Sequence, residues 1–146
     1  MGGRGRAEVL SSANRAGSCP ARLRLPANWS FSLTQPTGQQ LAGFATAAVR
    51  GNQVQFTFTL QYPLAGPDGT THQAREVNGF TGTITGRQIT ASCQPGMATW
   101  TLDGQPVQPT GLPFVLKLAL SADGRTAQGT VTGATGTTVA IQMQAQ

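Results

Sequence analysis

Gln53-Val54-Gln55-Phe56-Thr57-Phe58-Thr59-Leu60-Gln61-Tyr62 alternates without a break. Val54, Phe56, Phe58, Leu60 and Tyr62 fall on one side, and Gln53, Gln55, Thr57, Thr59 and Gln61 on the other. Side chains of a strand point to opposite faces with a period of two, so this segment predicts a strand with one buried face and one wetted face.

The same pattern extends outward in both directions. Upstream, Trp29, Phe31 and Leu33 alternate with Ser30, Ser32 and Thr34, and Gln35-Pro36-Thr37-Gly38 supplies a turn. Leu41, Gly43, Ala45, Ala47 and Val49 then share a face, closed by Arg50-Gly51-Asn52. Downstream, the connection Pro63–His72 holds two prolines and two glycines, which predicts a loop without a regular ladder. Asn78, Phe80, Gly82 and Ile84 alternate within Gln73–Thr85, and Ile89, Ala91 and Cys93 within Gln88–Cys93. After a break at Gln94-Pro95-Gly96, Trp100 and Leu102 are in phase within Ala98–Leu102. A second long connection, Asp103–Pro113, precedes Phe114, Leu116, Leu118 and Leu120. A last hairpin pairs Ala127, Gly129 and Val131 with Val139, Ile141 and Met143.

Eight or nine short strands, nearly all joined by tight turns, predict an all-β domain built as an antiparallel meander. Closure into an up-and-down barrel removes the exposed edges that invite aggregation, and glycines within strands (Gly43, Gly79, Gly82, Gly129) suit sharply coiled barrel strands. The alternative is a two-sheet β-sandwich. Trp29 entering the first strand resembles the calycins, the lipocalin- and avidin-like barrels. So do the short glycine-bounded strands Gly79-Phe80-Thr81-Gly82 and Gly129-Thr130-Val131-Thr132-Gly133. The pattern is also similar to small exported bacterial β-barrel lipoproteins. The resemblance covers 28–146 and implies a barrel with room for a small ligand. Ala27 stands where lipocalins carry a glycine two before the tryptophan, and no ligand-contacting residue carries over.

Composition bounds the partners. The chain has 146 residues, of which only 10% are charged, and a net charge of +5. The charge belongs to the first 27 residues, where Arg4, Arg6, Arg15, Arg22 and Arg24 face only Glu8. Residues 28–146 are nearly neutral, so no nucleic-acid partner is expected, since such binders cluster cations on the folded surface. Residues 1–27 read as a flexible basic lead-in, with Leu23 and Leu25 docking on a single domain over 28–146. Ala16-Gly17-Ser18-Cys19 resembles a degraded lipobox, so Cys19 is a candidate for lipidation and membrane association; no transmembrane helix is read anywhere. A Cys19–Cys93 disulfide is the competing reading, worth roughly 4 kcal/mol in the chain-entropy view. A free Cys19 with a small buried Cys93 is the third. The composition points to export, in the envelope or periplasm.

Candidate chemistry is sparse. Asp68, Asp103 and Asp123 each precede a glycine, which is turn chemistry, and Glu76 has no evident partner. His72 is the sole imidazole, and with Cys93, Met97 and Met143 it makes a poor metal set, so no metal or cofactor is implied. The expected function is a non-catalytic exported barrel binding a small apolar ligand or an envelope protein partner. A structural or accessory subunit of an envelope complex comes second, and an enzyme or metal-dependent oxidoreductase using His72 third. A ligand would sit at a barrel mouth bordered by Pro63–His72 and Asp103–Pro113, with Tyr62, His72, Trp29 and Trp100 as contacts. Counted as a barrel strand, Ala98–Leu102 sends these two connections to opposite ends. They share an end only if that segment merges with the strand before it or is not a barrel strand.

Overall fold

The computed structural model describes residues 25–146. Ten strands follow in order: β1 (Asn28–Thr34), β2 (Gln40–Arg50), β3 (Gln53–Ala65), β4 (Thr71–Thr85), β5 (Gln88–Cys93), β6 (Ala98–Leu102), β7 (Gln105–Val107), β8 (Phe114–Leu120), β9 (Thr126–Thr132) and β10 (Thr138–Ala145). The barrel runs β3-β2-β1-β10-β9-β8-β5-β4, and β4 pairs back onto β3. That closing seam is the longest in the molecule, continuous from Gln53↔Thr83 to Ala65↔Thr71. Eight antiparallel strands therefore close on themselves, which decides for the barrel over two stacked sheets.

The alternation that predicts the strands also fills the interior. Val54, Phe56, Phe58 and Leu60 are buried inward, joined by Trp29, Phe31, Ala45, Phe80, Ile89, Leu116, Leu118 and Ile141. Each large apolar side chain withdrawn from water contributes roughly 1.5–3 kcal/mol. The outward positions carry threonine, glutamine and serine, the reverse of a membrane-spanning barrel, whose lipid face is apolar. Among the described residues no helix is long and apolar enough to cross a membrane. Leu33 and Trp100, in phase with the apolar positions of their strands, are half-buried. Leu25 packs on the core, whereas Leu23 and Cys19 lie outside the described residues.

Three details change the sequence reading. The ladder of β3 continues through Pro63 to Ala65, opposite Gln73, His72 and Thr71, so the expected loop Pro63–His72 shrinks to 66–70. Proline is tolerated there because the β2 ladder ends at Leu60, leaving Pro63 unpaired on that side. Secondly, β6 is the continuation of β5. Both pair with β4, β5 at Thr81–Thr85 and β6 at Ala74–Asn78, and the excursion Gln94–Met97 is tied back by the Gly79 N–H donating to the Met97 carbonyl at 2.8 Å. Thirdly, the Asp103–Pro113 connection contains β7, a short edge strand paired with β6, in which Pro106 lies opposite Thr101. Asp103 and Gly104 both have positive φ (50° and 80°), as a two-residue primed hairpin turn requires.

With β5 and β6 counted as one interrupted strand, parity places the turns 35–39, 66–70, 103–104 and 133–137 at one end. The turns 51–52, 86–87 and 121–125 lie at the other, with the start of β1 and the end of β10. Trp29 closes that second end: it pairs with Ala45 and Ala145, is 1% exposed, and donates its indole N–H to the Pro26 carbonyl at 2.7 Å.

Candidate functional site: the open end of the barrel

The end opposite Trp29 is not filled. A cavity of about 240 Å³ opens there. Phe31, Phe58, Phe80 and Ile141 lie at its base, and Leu33, Leu41, Leu60, Tyr62, Val131 and Val139 along its walls. The base is rigid, because Phe58 meets Phe31 edge-on at 5.1 Å and Phe80 edge-on at 5.3 Å. The strands that build the walls are held by ladders on both sides below Leu60, so the cavity is a property of the barrel rather than of a loop.

Gln35, Thr135 and Thr137 are polar where the turns meet the cavity, and deeper in, one polar cluster stands among the apolar walls. The Tyr62 hydroxyl donates to Glu76 Oε2 at 2.6 Å, and Asn78 Nδ2 donates to Glu76 Oε1 at 3.3 Å. Behind them the Trp100 indole N–H donates to Asn78 Oδ1 at 2.8 Å, and the Trp100 ring stacks on Phe114 with centroids 6.4 Å apart. Asn78 is only 6% exposed, and these two bonds satisfy both ends of its amide. Withdrawal from water, the hydrogen bond to Glu76 and the charge of Glu76 all push the Tyr62 hydroxyl well above the ordinary phenol range. Tyr62 is therefore a donor at every physiological pH.

Two connections meet over this end, satisfying the parity condition. The Nδ1 of His72 lies 2.6 Å from Asp103 Oδ2, and the Gln73 N–H donates to Asp103 Oδ1 at 2.8 Å. Asp103 is held below the ordinary carboxyl range, first by the Gln73 amide and then by His72. On its other side His72 Nε2 lies 3.0 Å from Thr70 Oγ1, which donates to Asp68 Oδ1 at 2.6 Å. The row Thr70, His72, Asp103 has the order of hydroxyl, base and orienting carboxylate found in hydrolytic triads. Here the Thr70 hydroxyl has a single proton with two acceptors facing it, and the Thr70 N–H is also given to Asp68, at 3.1 Å. The cluster is a clasp joining two turns. Farther round the rim, the Ala134 N–H donates to the Gly111 carbonyl at 2.8 Å, tying 108–113 to the last hairpin.

Of the contacts expected from sequence, Tyr62 lines the cavity, His72 lies outside the lining in the clasp between the two turns, and Trp100 backs Asn78 and Phe114. Trp29 lies at the far end and is not brought together with the others. Cys93 is a free thiol with no exposed surface, and burial pushes its pKa up, so it is inert in this position. Glu76 is the residue the sequence reading leaves without a partner, yet the structure gives it two. Its signal was available: Glu76 and Asn78 continue the inward phase of Phe80, Gly82 and Ile84, so two polar groups occupy consecutive positions on a buried face.

No protein-family model matches the sequence, and no curated protein matches it either. Among solved structures, a redesigned beta barrel is similar over 84% of this chain and 91% of its own, with a TM-score of 0.51 and 16% identity. A de novo designed fluorescence-activating beta barrel is similar over 84% of this chain and 94% of its own, with a TM-score of 0.48 and 11% identity. The first likeness shows the antiparallel barrel fold alone.

Proposed function

We propose that this protein is a non-catalytic small-molecule binding barrel that takes a ligand with an apolar body at its open end. The observation that carries the reading is the cavity with an aromatic base, largely apolar walls and a few polar groups, Tyr62, Glu76 and Asn78 foremost among them. Small-molecule sites have that composition, with a few placed polar groups fixing orientation. A calycin-like plan, plugged at one end by Trp29 and open at the other, fits this reading. Export to the cell envelope belongs to the proposal and rests on composition and on Cys19.

The test is titration with the neutral solvatochromic dye prodan. Wild type is expected to shift the dye's emission to the blue and saturate. Val131→Trp, which fills the cavity from a wall position, abolishes the shift while the melting temperature stays close to wild type. An unshifted emission with wild type, or an undiminished shift with the variant, contradicts the proposal.

The accessory-subunit reading draws on the outer surface, where Phe44 is 70% exposed beside a shallow saddle between β2 and β9. Native mass spectrometry of material from the source separates the two readings. A retained small molecule supports the first, and a stoichiometric protein the second.

A further inference from the structure

The charge at the open end narrows the ligand class. Glu76 is the only charged side chain lining the cavity, and no lysine or arginine lines it. A carboxylate offers about four lone-pair sites. Tyr62 and Asn78 take one on each oxygen, and neither brings a positive charge. Among the described residues Glu76 has no cationic partner, and the nearest cation in sequence, Arg75, is exposed on the opposite face of β4. The carboxylate thus faces the cavity held by two neutral donors, with acceptor capacity left over.

The surroundings have the same sign. The turns at this end carry Asp68 and Asp103, outside the cavity lining, and hydrogen bonding holds both carboxyls below the ordinary range. Beside them stands the imidazole of His72, already engaged by Asp103 and Thr70. Of the five cations of the described domain, Arg50, Arg87 and Arg125 sit at or beside the turns of the Trp29 end, Lys117 faces outward on β8, and Arg75, level with the cavity, is exposed on the outer face of β4. Field lines from one sign of charge focus in a low-dielectric cleft and attract the opposite charge. The rings of Phe31, Phe58, Phe114 and Tyr62 also line the cavity, and aromatic faces attract cations.

We infer that the open end selects an organic amine, a protonated ammonium on an apolar body, with Glu76 as its counter-ion and Tyr62 and Asn78 holding that carboxylate in place. Fatty acids and other apolar anions are excluded, because nothing lining the cavity would neutralise them and Glu76 repels them. This rests on the cavity being a small-molecule site, so the experiment separates failure of the one from failure of the other.

The experiment compares three probes of matched shape on the full chain at neutral pH: 2-phenylethylamine, neutral 2-phenylethanol and anionic 3-phenylpropanoate. Binding is read by the two indole N–H resonances. Trp100 touches Asn78 and should shift, whereas Trp29 at the far end should not. The amine is expected to bind about tenfold tighter than the alcohol, the gain from a charge-assisted hydrogen bond in a partly dry site. The propanoate should give no saturable shift. Glu76→Gln is expected to bring amine and alcohol to equal affinity while the alcohol still binds. Should that variant fail to fold, salt decides on wild type: amine affinity falls with ionic strength and alcohol affinity does not. Equal binding of amine and alcohol by wild type, or tightest binding of the propanoate, overturns the amine inference and leaves the cavity reading standing. No saturable shift with any of the three overturns both.

Discussion

At the scale of single residues, Asp103 decides the geometry of the rim. Its backbone adopts the left-handed region that Asp and Asn tolerate, and its two oxygens hold the Gln73 amide and the His72 ring. Because the folded carboxyl titrates below its ordinary 3.8, the folded state keeps its charge where the unfolded chain takes up a proton. The stability so contributed is complete above 3.8 and is lost as pH falls through the lower folded value. Asp103→Asn keeps the turn and removes the charge. Its melting temperature is expected to lie below wild type at neutral pH, with the gap closing as pH falls from 3.8 through the lower folded value. A gap that stays constant down to strong acid contradicts this. Asp103 before Gly104 reads as turn chemistry, and it forms a turn. Its grip on His72 was not legible, since 31 residues separate the two and only the path of β6 joins them.

At the scale of elements, strand existence followed from alternation because inward positions must be apolar and outward ones wetted. The direction of the chain after Cys93 did not. Gln94-Pro95-Gly96 marks an interruption equally well in a hairpin and in an excursion, and what distinguishes them is the non-local bond from Gly79 to Met97. The ladder through Pro63 was hidden for a related reason: whether a missing N–H matters depends on which neighbour has already ended. The glycines within strands are more specific than a general coiling preference. A Cβ on Gly82 would run into the Thr90 carbonyl, and one on Gly129 into the Lys117 carbonyl, both in neighbouring ladders. At Gly79 the nearest atom, the Met97 carbonyl oxygen, would be 3.4 Å away. Gly82→Ala and Gly129→Ala are each expected to cost about 3 kcal/mol, and Gly79→Ala less than about 1 kcal/mol, in denaturant unfolding. Equal costs at the three positions would show that the close backbone approach is not what selects glycine.

At the scale of the whole molecule, the barrel has two unlike ends. One is plugged by Trp29 and bordered by arginines, and the other is open, largely apolar within, and holds Glu76 among its lining. Closure, the interior and the polar exterior were legible from period-two patterning. The site was legible only in part, because Tyr62 and His72 could be placed at a mouth while Glu76 acquires its meaning from the neighbours that β3 and β4 bring to it. The central claim is that ligand occupies the open end. It is tested most directly by intermolecular NOEs between bound prodan and the methyl groups of the full chain. The predicted result is contacts to Leu33, Leu60, Val131, Val139 and Ile141, which line the cavity. Contacts instead to Ala42 and Ala119, which line the outer saddle, would contradict it.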